Sequence, residues 1–316
     1  MTSRATAIVV TYNSQDQIEA SLAALRPAAL DVIVVDNASV DGTAAIVRRH
    51  FPEVVVITND ENVGFARAVN QGVAHLRTET VLLVNPDCTL PPATAEGLVR
   101  FLAERPDVGV AGPRLVDPAG RVAVSAHPFE SLASVVLSRF GGGLVPVGLR
   151  RLLSGDRRRR SYDACRESSD PTSVDWLSGA CLAVRTDLLR ATGGLDERYF
   201  LYYEDEELCW QARRRGKDVV YVPTLVATHV GGASSEHGTT WPHLYRSMLV
   251  FFASHRRSSY QAVRIAVLVR AGIGTATGLL RLALRRPGGA SRATAWRRVM
   301  GIAWAGAPEQ FEGIAA

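Results

Sequence analysis

The chain has 316 residues, 47% of them apolar, with a mean hydropathy close to zero, so it can bury a full core. That length suits one large α/β domain with an appendage better than two equal domains. A formal charge of +5 is mild for the size and points away from a nucleic-acid partner, and the four cysteines (Cys88, Cys165, Cys181 and Cys209) show neither CxxC nor zinc spacing. A strand-like run begins at Ala5 with no apolar leader ahead of it. With the scattered cysteines, this predicts reduced thiols in a cytoplasmic protein.

The first hundred residues alternate two patterns. Short β-branched runs over 5–11, 32–36, 54–58 and 81–85 predict parallel strands covered on both faces, and helical periodicity fills 15–25, 42–50 and 64–76. Strand–helix repetition of this kind builds an open, mostly parallel sheet, and such sheets bind ligands at the carboxyl ends of their strands. The polar clusters fall there: Thr11-Tyr12-Asn13, Asp36-Asn37-Ala38-Ser39 and Asn85-Pro86-Asp87. From about 113 to 173 the pattern weakens. A triple glycine at 141–143 and an arginine run at 157–160 predict a loop, either solvated or touching a phosphate or an anionic membrane. Order returns over 174–184, with helices near 187–191 and 206–215 and a strand near 219–222 leading to His229.

Several residues carry candidate chemistry. Asp87 projects from a sheet edge, where a carboxylate can hold a hard divalent cation, although Asn-Pro-Asp is also an ordinary turn. Asp36 and Asn37 have the same two readings, and Asp41-Gly42-Thr43 can simply cap the next helix. Four successive acids, Glu204 to Glu207, follow an aromatic cluster. At a helix N-terminus they gain from the dipole, but only one or two can cap, and a partly buried carboxylate among them can serve as a general base.

Taken in order, Val9-Val10-Thr11-Tyr12-Asn13, Val34-Val35-Asp36-Asn37-Ala38-Ser39, the stretch from Asn62 through Gly64, Arg67 and Asn70 to Gly72, and Asn85-Pro86-Asp87 resemble family 2 glycosyltransferases. So do Leu177-Ser178-Gly179-Ala180-Cys181, Gly193-Gly194-Leu195-Asp196-Glu197, Tyr203-Glu204-Asp205-Glu206-Glu207-Leu208-Cys209 and Thr228-His229. The series spans about 5–235 and looks like the branch of bacterial rhamnosyltransferases and galactofuranosyltransferases. The resemblance implies a GT-A fold, a Rossmann-like sheet with helices on both faces, and inversion at the anomeric carbon. It also implies a donor-binding half over about 1–112, an acceptor half over about 113–238 and a helical C-terminal extension over 239–316.

By position, Thr11, Tyr12, Asn13, Asp36, Asn37 and Ser39 would hold the donor's base and ribose, and Asn62, Gly64, Arg67 and Asn70 its diphosphate side. Asp87 stands at the last acid of the family's Asp-x-Asp motif and would hold Mg²⁺ or Mn²⁺ together with His229. Asp205 matches the catalytic base, assisted by Glu204. Trp176, Gly179, Asp196 and Glu207 would line the acceptor. Asn85 replaces the first acid of Asp-x-Asp and leaves one carboxylate fewer for the metal. Glu204 and Glu207 are expected to raise the proton affinity of Asp205.

The implied donor is a dTDP- or UDP-linked sugar, dTDP-rhamnose first and UDP-galactofuranose second, and the acceptor a lipid-linked or polysaccharide glycan. Two rivals stand beside this reading. A nucleotidyltransferase would carry a Gly-rich basic loop after strand one, where Thr11-Tyr12-Asn13-Ser14-Gln15 has neither glycine nor a basic residue. A non-catalytic glycan-binding module would need no base.

Beyond Trp241, apolar residues mix with arginines. Residues 248–253 and 262–284 are strongly apolar, but Arg264, Arg270 and Arg281 interrupt the second stretch and argue against a spanning helix. That stretch either lies in a membrane interface, burying Ile265, Leu268, Val269 and Ile273 while its arginines meet headgroups on the inner face of the cell membrane, or packs in a core or homodimer.

Overall fold

The computed structural model describes residues 5–139, 168–231 and 240–306. The triple glycine, the arginine run and Cys165 lie outside the described residues. Over the described residues the chain forms two compact units, one of residues 5–129, 168–200 and 204–231, the other of 130–139, 201–203 and 240–306.

The first unit is built on a nine-stranded sheet. Strands β1 (Ala5–Thr11), β2 (Asp31–Asp36), β3 (Val55–Thr58) and β4 (Thr80–Val84) lie side by side in the order β3-β2-β1-β4, all parallel. The sheet continues through β10 (Cys181–Arg185), β6 (Val108–Val116) and β11 (Asp218–His229), with β5 (Cys88–Thr89) and β8 (Thr172–Ser173) paired on β11. Strand β10 runs against both β4 and β6, so β6 and β11 point the same way as the first four. A separate ribbon pairs β7 (Ala126–His127) with β9 (Trp176–Leu177).

Alternation along β1 explains both layers. Ala7 and Val9 face one core, with Ile18 and Leu22 of α1 (Gln15–Leu25), Val47 of α2 (Thr43–His50) and Leu98 and Leu102 of α4 (Pro92–Glu104). Ile8 and Val10 face the other, with Ala66 and Val69 of α3 (Phe65–Val73), Leu188 and Leu189 of α6 (Thr186–Thr192) and Leu208 and Ala212 of α7 (Glu204–Arg214). Strands apolar on both sides are what a sheet sandwiched between helices requires. Cys88, Cys181 and Cys209 are free and buried in these cores.

The second unit holds α5 (Leu132–Arg139), α8 (Trp241–His255), α9 (Arg257–Ala283) and α10 (Gly289–Ala305). Helix α9 turns Val263, Val267, Ala271, Gly274 and Gly278 inward. The glycines let α10 approach closely: a Cβ on Gly274 would come within 2.4 Å of the Trp296 ring, and one on Gly278 within 2.7 Å of the Ala293 backbone. Trp241 and Tyr245 of α8 pack on the same Trp296, with ring centroids 4.7 and 5.5 Å away.

Candidate active site

The carboxyl edge of the parallel strands carries the first cluster. Thr11 and Asp36 end β1 and β2 in register. The Thr11 hydroxyl donates to Asp36 Oδ1 at 2.9 Å, and the Ser39 backbone N–H donates to Asp36 Oδ2 at 3.1 Å. The Ser39 hydroxyl donates to Asp36 Oδ1 as well and accepts from the Asn13 N–H at 2.8 Å. The Asn13 side-chain oxygen then accepts from the Val40 N–H at 2.9 Å. These bonds hold two tight loops against each other, with Asn13 and Ala38 both at positive φ. Tyr12 is left half exposed beside them. Asp41 caps α2 through the Thr43 N–H at 3.0 Å, and its other oxygen takes the Gln15 N–H at the head of α1, also at 3.0 Å. The N-cap itself is Gly42, and Asp41 supports it from one residue ahead by holding the Thr43 N–H.

Asn37 extends the cluster inward. Its amide donates to the Gly64 carbonyl at 3.2 Å and accepts from Asn59 at 2.9 Å, while Asn59 and Gln71 exchange two amide bonds of 3.0 and 2.8 Å. Sequence reasoning missed Asn59, because a single amide after a strand reads as a turn residue, and gave Gln71, inside the motif over 62–72, no role of its own. Gly64 leads into α3 at φ +87, its N–H held by the Asn62 side chain at 3.0 Å. Arg67 is exposed in the first turn of that helix and makes no hydrogen bond among the described residues. Asn70, a motif residue expected on the diphosphate side, braces a turn. Its oxygen accepts from the Leu195 N–H at 2.7 Å, and its nitrogen donates to the Leu195 carbonyl at 2.8 Å and to Glu197 at 3.0 Å. Gly194, at φ +93, has no room for a Cβ against that amide, which it would meet at 2.3 Å.

The second cluster gathers where β4 ends. Asp87 is buried, and its Oδ1 lies 3.2 Å from His229 Nε2. The pairing of His229 with Cys88 and the Val230 N–H bond to the Asp87 carbonyl (3.0 Å) set this contact. No group of three or more His, Cys, Asp or Glu side chains gathers for a metal among the described residues. Among the described residues the site thus offers the Asp87 carboxylate and the His229 imidazole. Such a pair suits Mn²⁺ or Mg²⁺ only when a ligand rich in oxygens, such as a diphosphate, completes the shell.

From Asp87 the edge continues to the acids. The Asn85 N–H donates to the Ala180 carbonyl at 3.0 Å, and the adjacent Gly179 N–H donates to Asp205 Oδ2 at 2.8 Å. Helix α7 starts at Glu204, two residues earlier than the sequence pattern predicts, so all four acids lie in its first turn. They do different things. Asp205 Oδ1 accepts from the Glu206 N–H at 2.8 Å, and the carboxyl stays partly exposed. Glu207 is buried, accepts the Tyr199 hydroxyl at 3.0 Å and takes a 2.7 Å bond from Gln211. Glu204 is buried, and its Oε2 has no hydrogen-bond partner among the described residues.

Burial raises the proton affinity of Asp205 against the lowering effect of its backbone donors. Glu207 adds nothing to this, and the repulsion between Asp205 and Glu204 is mutual, opposing whichever of the two ionises second. Glu204 is itself pushed well above the usual carboxylate range, by burial first and then by the charge of Asp205. A partly exposed carboxylate with spare lone pairs and a raised pKa can take a proton from a nearby hydroxyl.

Trp176 and Gly179 flank this point. The Trp176 indole N–H donates to the Pro128 carbonyl at 3.0 Å, and His127 stacks on its ring with centroids 4.3 Å apart. Burial lowers the His127 pKa, which keeps that imidazole neutral. Asp196 accepts from the Arg198 backbone and guanidinium at 2.9 to 3.0 Å.

A sequence profile described as glycosyl transferase family 2 matches residues 6–146. The chain is 30% identical over 267 residues to the N-acetylglucosaminyl-diphospho-decaprenol L-rhamnosyltransferase of Mycobacterium tuberculosis, a match covering 80% of this chain and 81% of that protein. It is 23% identical over 228 residues to the low-salt glycan biosynthesis hexosyltransferase Agl10 of Haloferax volcanii, covering 70% and 66%. Among solved structures, the mannosyltransferase PcManGT from Pyrobaculum calidifontis, in complex with GDP-Man and Mn²⁺, aligns with a TM-score of 0.56 at 20% identity, over 95% of this chain and 86% of that one. At that identity the likeness carries the fold alone.

Proposed function

The chain belongs to glycosyltransferase family 2, and from that premise we propose that it transfers a sugar, with inversion, from a nucleoside-diphosphate donor to a hydroxyl of a lipid-linked acceptor. The preferred donor in this reading is dTDP-rhamnose. The mycobacterial relative, whose name specifies a rhamnosyl transfer to a decaprenol-linked sugar, supports both halves of it. The observation that carries the reading is Asp205, a proton-hungry carboxylate fixed by the Gly179 N–H at the edge of the sheet that also carries Asp87 and His229.

Asp205 takes the proton of the acceptor hydroxyl as that oxygen attacks the anomeric carbon. The sugar passes through an oxocarbenium-like state, and the nucleoside diphosphate leaves on the opposite side. Asp87 and His229 are the residues that would hold a divalent cation, which when bound neutralises the negative charge growing on the leaving diphosphate. The Thr11–Asp36–Ser39 cluster receives the nucleoside, Arg67 supplies positive charge toward the phosphates, and Trp176 gives the acceptor sugar an apolar ring to rest on. The reaction takes place on the cytoplasmic face of a membrane, where the lipid-linked acceptor presents its sugar.

A donor screen tests this. Nucleoside diphosphate release is followed with dTDP-rhamnose, UDP-galactofuranose and GDP-mannose, with a polyprenyl-diphosphate-linked N-acetylglucosamine acceptor, and with Mn²⁺ or EDTA. Acceptor-dependent release of dTDP that EDTA abolishes is the expected result. Asp87→Ala removes the stimulation by Mn²⁺, and His229→Ala weakens it less. Donor binding without release under any condition would leave a glycan-binding module in place of an enzyme.

A further inference from the structure

In sequence, Arg264, Arg270 and Arg281 break the apolar run of α9, and each reads as a charge exposed on that helix. The structure turns all three away. Arg264 donates to the Ala303 carbonyl at 2.7 Å and to the Trp304 carbonyl, neutralising the C-terminal end of α10. The Arg270 guanidinium lies 4.3 Å above the Trp296 ring, and Arg281 donates to the Pro287 carbonyl. Between Ala262 and Ala283, every exposed residue of α9 is consequently uncharged. Ile265, Val269, Ile273 and Leu280 stand on that side, with Ile265 and Leu280 each 59% exposed. Leu284 extends the row, and Trp304 at the end of α10 is 76% exposed.

The charge around this row has one sign. Residues 240–306 contain eleven arginines and no aspartate, glutamate or lysine. Arg285 and Arg286 follow Leu284 directly and are exposed, as are Arg257 at the start of α9 and Arg297 and Arg298 on α10. A second copy of this unit would bring arginines against arginines. An anionic lipid surface complements both the apolar row and the charge.

Helix α9 is long and apolar enough to cross a membrane by length and composition. Crossing would require α9 to leave α10, exposing three arginines to hydrocarbon and stripping Trp296 of its cation, which disfavours insertion. We propose that α9 lies in the plane of an anionic membrane surface, seating Ile265, Val269, Ile273, Leu280 and Leu284 among the acyl chains while Arg285 and Arg286 meet the headgroups. The inference goes beyond the transfer reading and stands on the helical unit alone.

The test is co-sedimentation of the full chain with phosphatidylcholine vesicles, with and without phosphatidylglycerol. Binding is expected only with phosphatidylglycerol, and an alkaline carbonate wash should release the protein. The double variant Val269→Glu/Ile273→Glu, at exposed positions, should lose about tenfold or more in vesicle partition while keeping its circular dichroism spectrum and its turnover on a water-soluble acceptor. Arg285→Glu/Arg286→Glu should bind less and lose the dependence on phosphatidylglycerol. Retention through the carbonate wash would overturn the in-plane arrangement. Absence of vesicle binding, with a dimer in analytical ultracentrifugation that the Val269→Glu/Ile273→Glu variant dissociates, would assign the row to a second copy. Because turnover is read on a soluble acceptor, failure of the membrane inference and failure of the transfer reading give different results.

Discussion

Asp205 and Glu204 stand next to each other in one helical turn, and the charge of one opposes ionisation of the other. Asp205→Asn keeps the shape and removes proton acceptance, so turnover should fall about 10²-fold or more while donor affinity, measured by calorimetry, stays near that of the parent chain. Glu204 has a second signature. Its folded-state pKa is raised, so the folded chain binds more protons than the unfolded one between the ordinary carboxylate value and the raised value. Stability must then fall as pH rises through that window. Glu204→Gln removes the buried charge and should stabilise the protein at neutral pH by about 1–3 kcal/mol, a gain that shrinks as the pH drops toward about 4. Thermal melts across that range check the sign, and a variant less stable at every pH would mean that the carboxylate has a partner in the native state. The acids were legible in the sequence as a group. Their division into a half-buried base, a buried brace and a buried carboxyl with one oxygen unmatched among the described residues was not, since it depends on which way one turn of helix faces.

Among the elements, the β-branched runs announced β1 to β4 because a strand buried on both faces can hardly be written otherwise. The reversal of β10 was silent, since an apolar strand reads alike in either direction. The motif around Gly64 was equally visible, but its reason was not. At φ +87 an alanine there would be strained, and its Cβ would come within 2.7 Å of the Phe200 carbonyl oxygen, which accepts the Phe65 N–H at 2.7 Å. Gly64→Ala should therefore cost about 2 kcal/mol or more, readable as a lowered midpoint in urea at unchanged slope. Gly179 is a gentler case. A Cβ there would meet Asp205 at 3.3 Å, so Gly179→Ala should shift the carboxyl and lower turnover about tenfold with little change in melting temperature. An unchanged rate would mean that the Gly179 contact does not set the position of the base.

At the scale of the molecule, family 2 membership and the GT-A fold were legible because eight motifs recur in order. The assignment of short segments to one unit or the other was not. Residues 201–203 belong with the helices: the Ser247 hydroxyl of α8 donates to the Leu201 carbonyl at 2.9 Å, and Tyr203 bonds to Glu130. Tyr202 and Tyr203 both hold positive φ, a conformation that must be maintained by its surroundings. A chain ending at residue 238 keeps every candidate site residue but loses the Ser247 anchor just ahead of Asp205. It should melt several degrees lower and turn over more slowly even on a soluble acceptor. Full retention of both properties would make the helices dispensable for catalysis.

The three buried thiols have a consequence for watching this protein open. Contact with Cys88 together with burial disfavours the Cys181 thiolate, and burial, helped by the charges of Asp205 and Glu206, does so for Cys209. All three sulfurs are buried, so none of them can be modified until its surroundings part. They report from two places: Cys88, next to Asp87, touches Cys181 on the reversed strand, and Cys209 is in the helix of the base. With Cys165 replaced by serine, native-state alkylation becomes a clock with two hands. One shared rate would describe an enzyme that opens only as a whole, whereas early labelling of Cys209 would reveal a catalytic helix that breathes while the sheet beneath it stays shut.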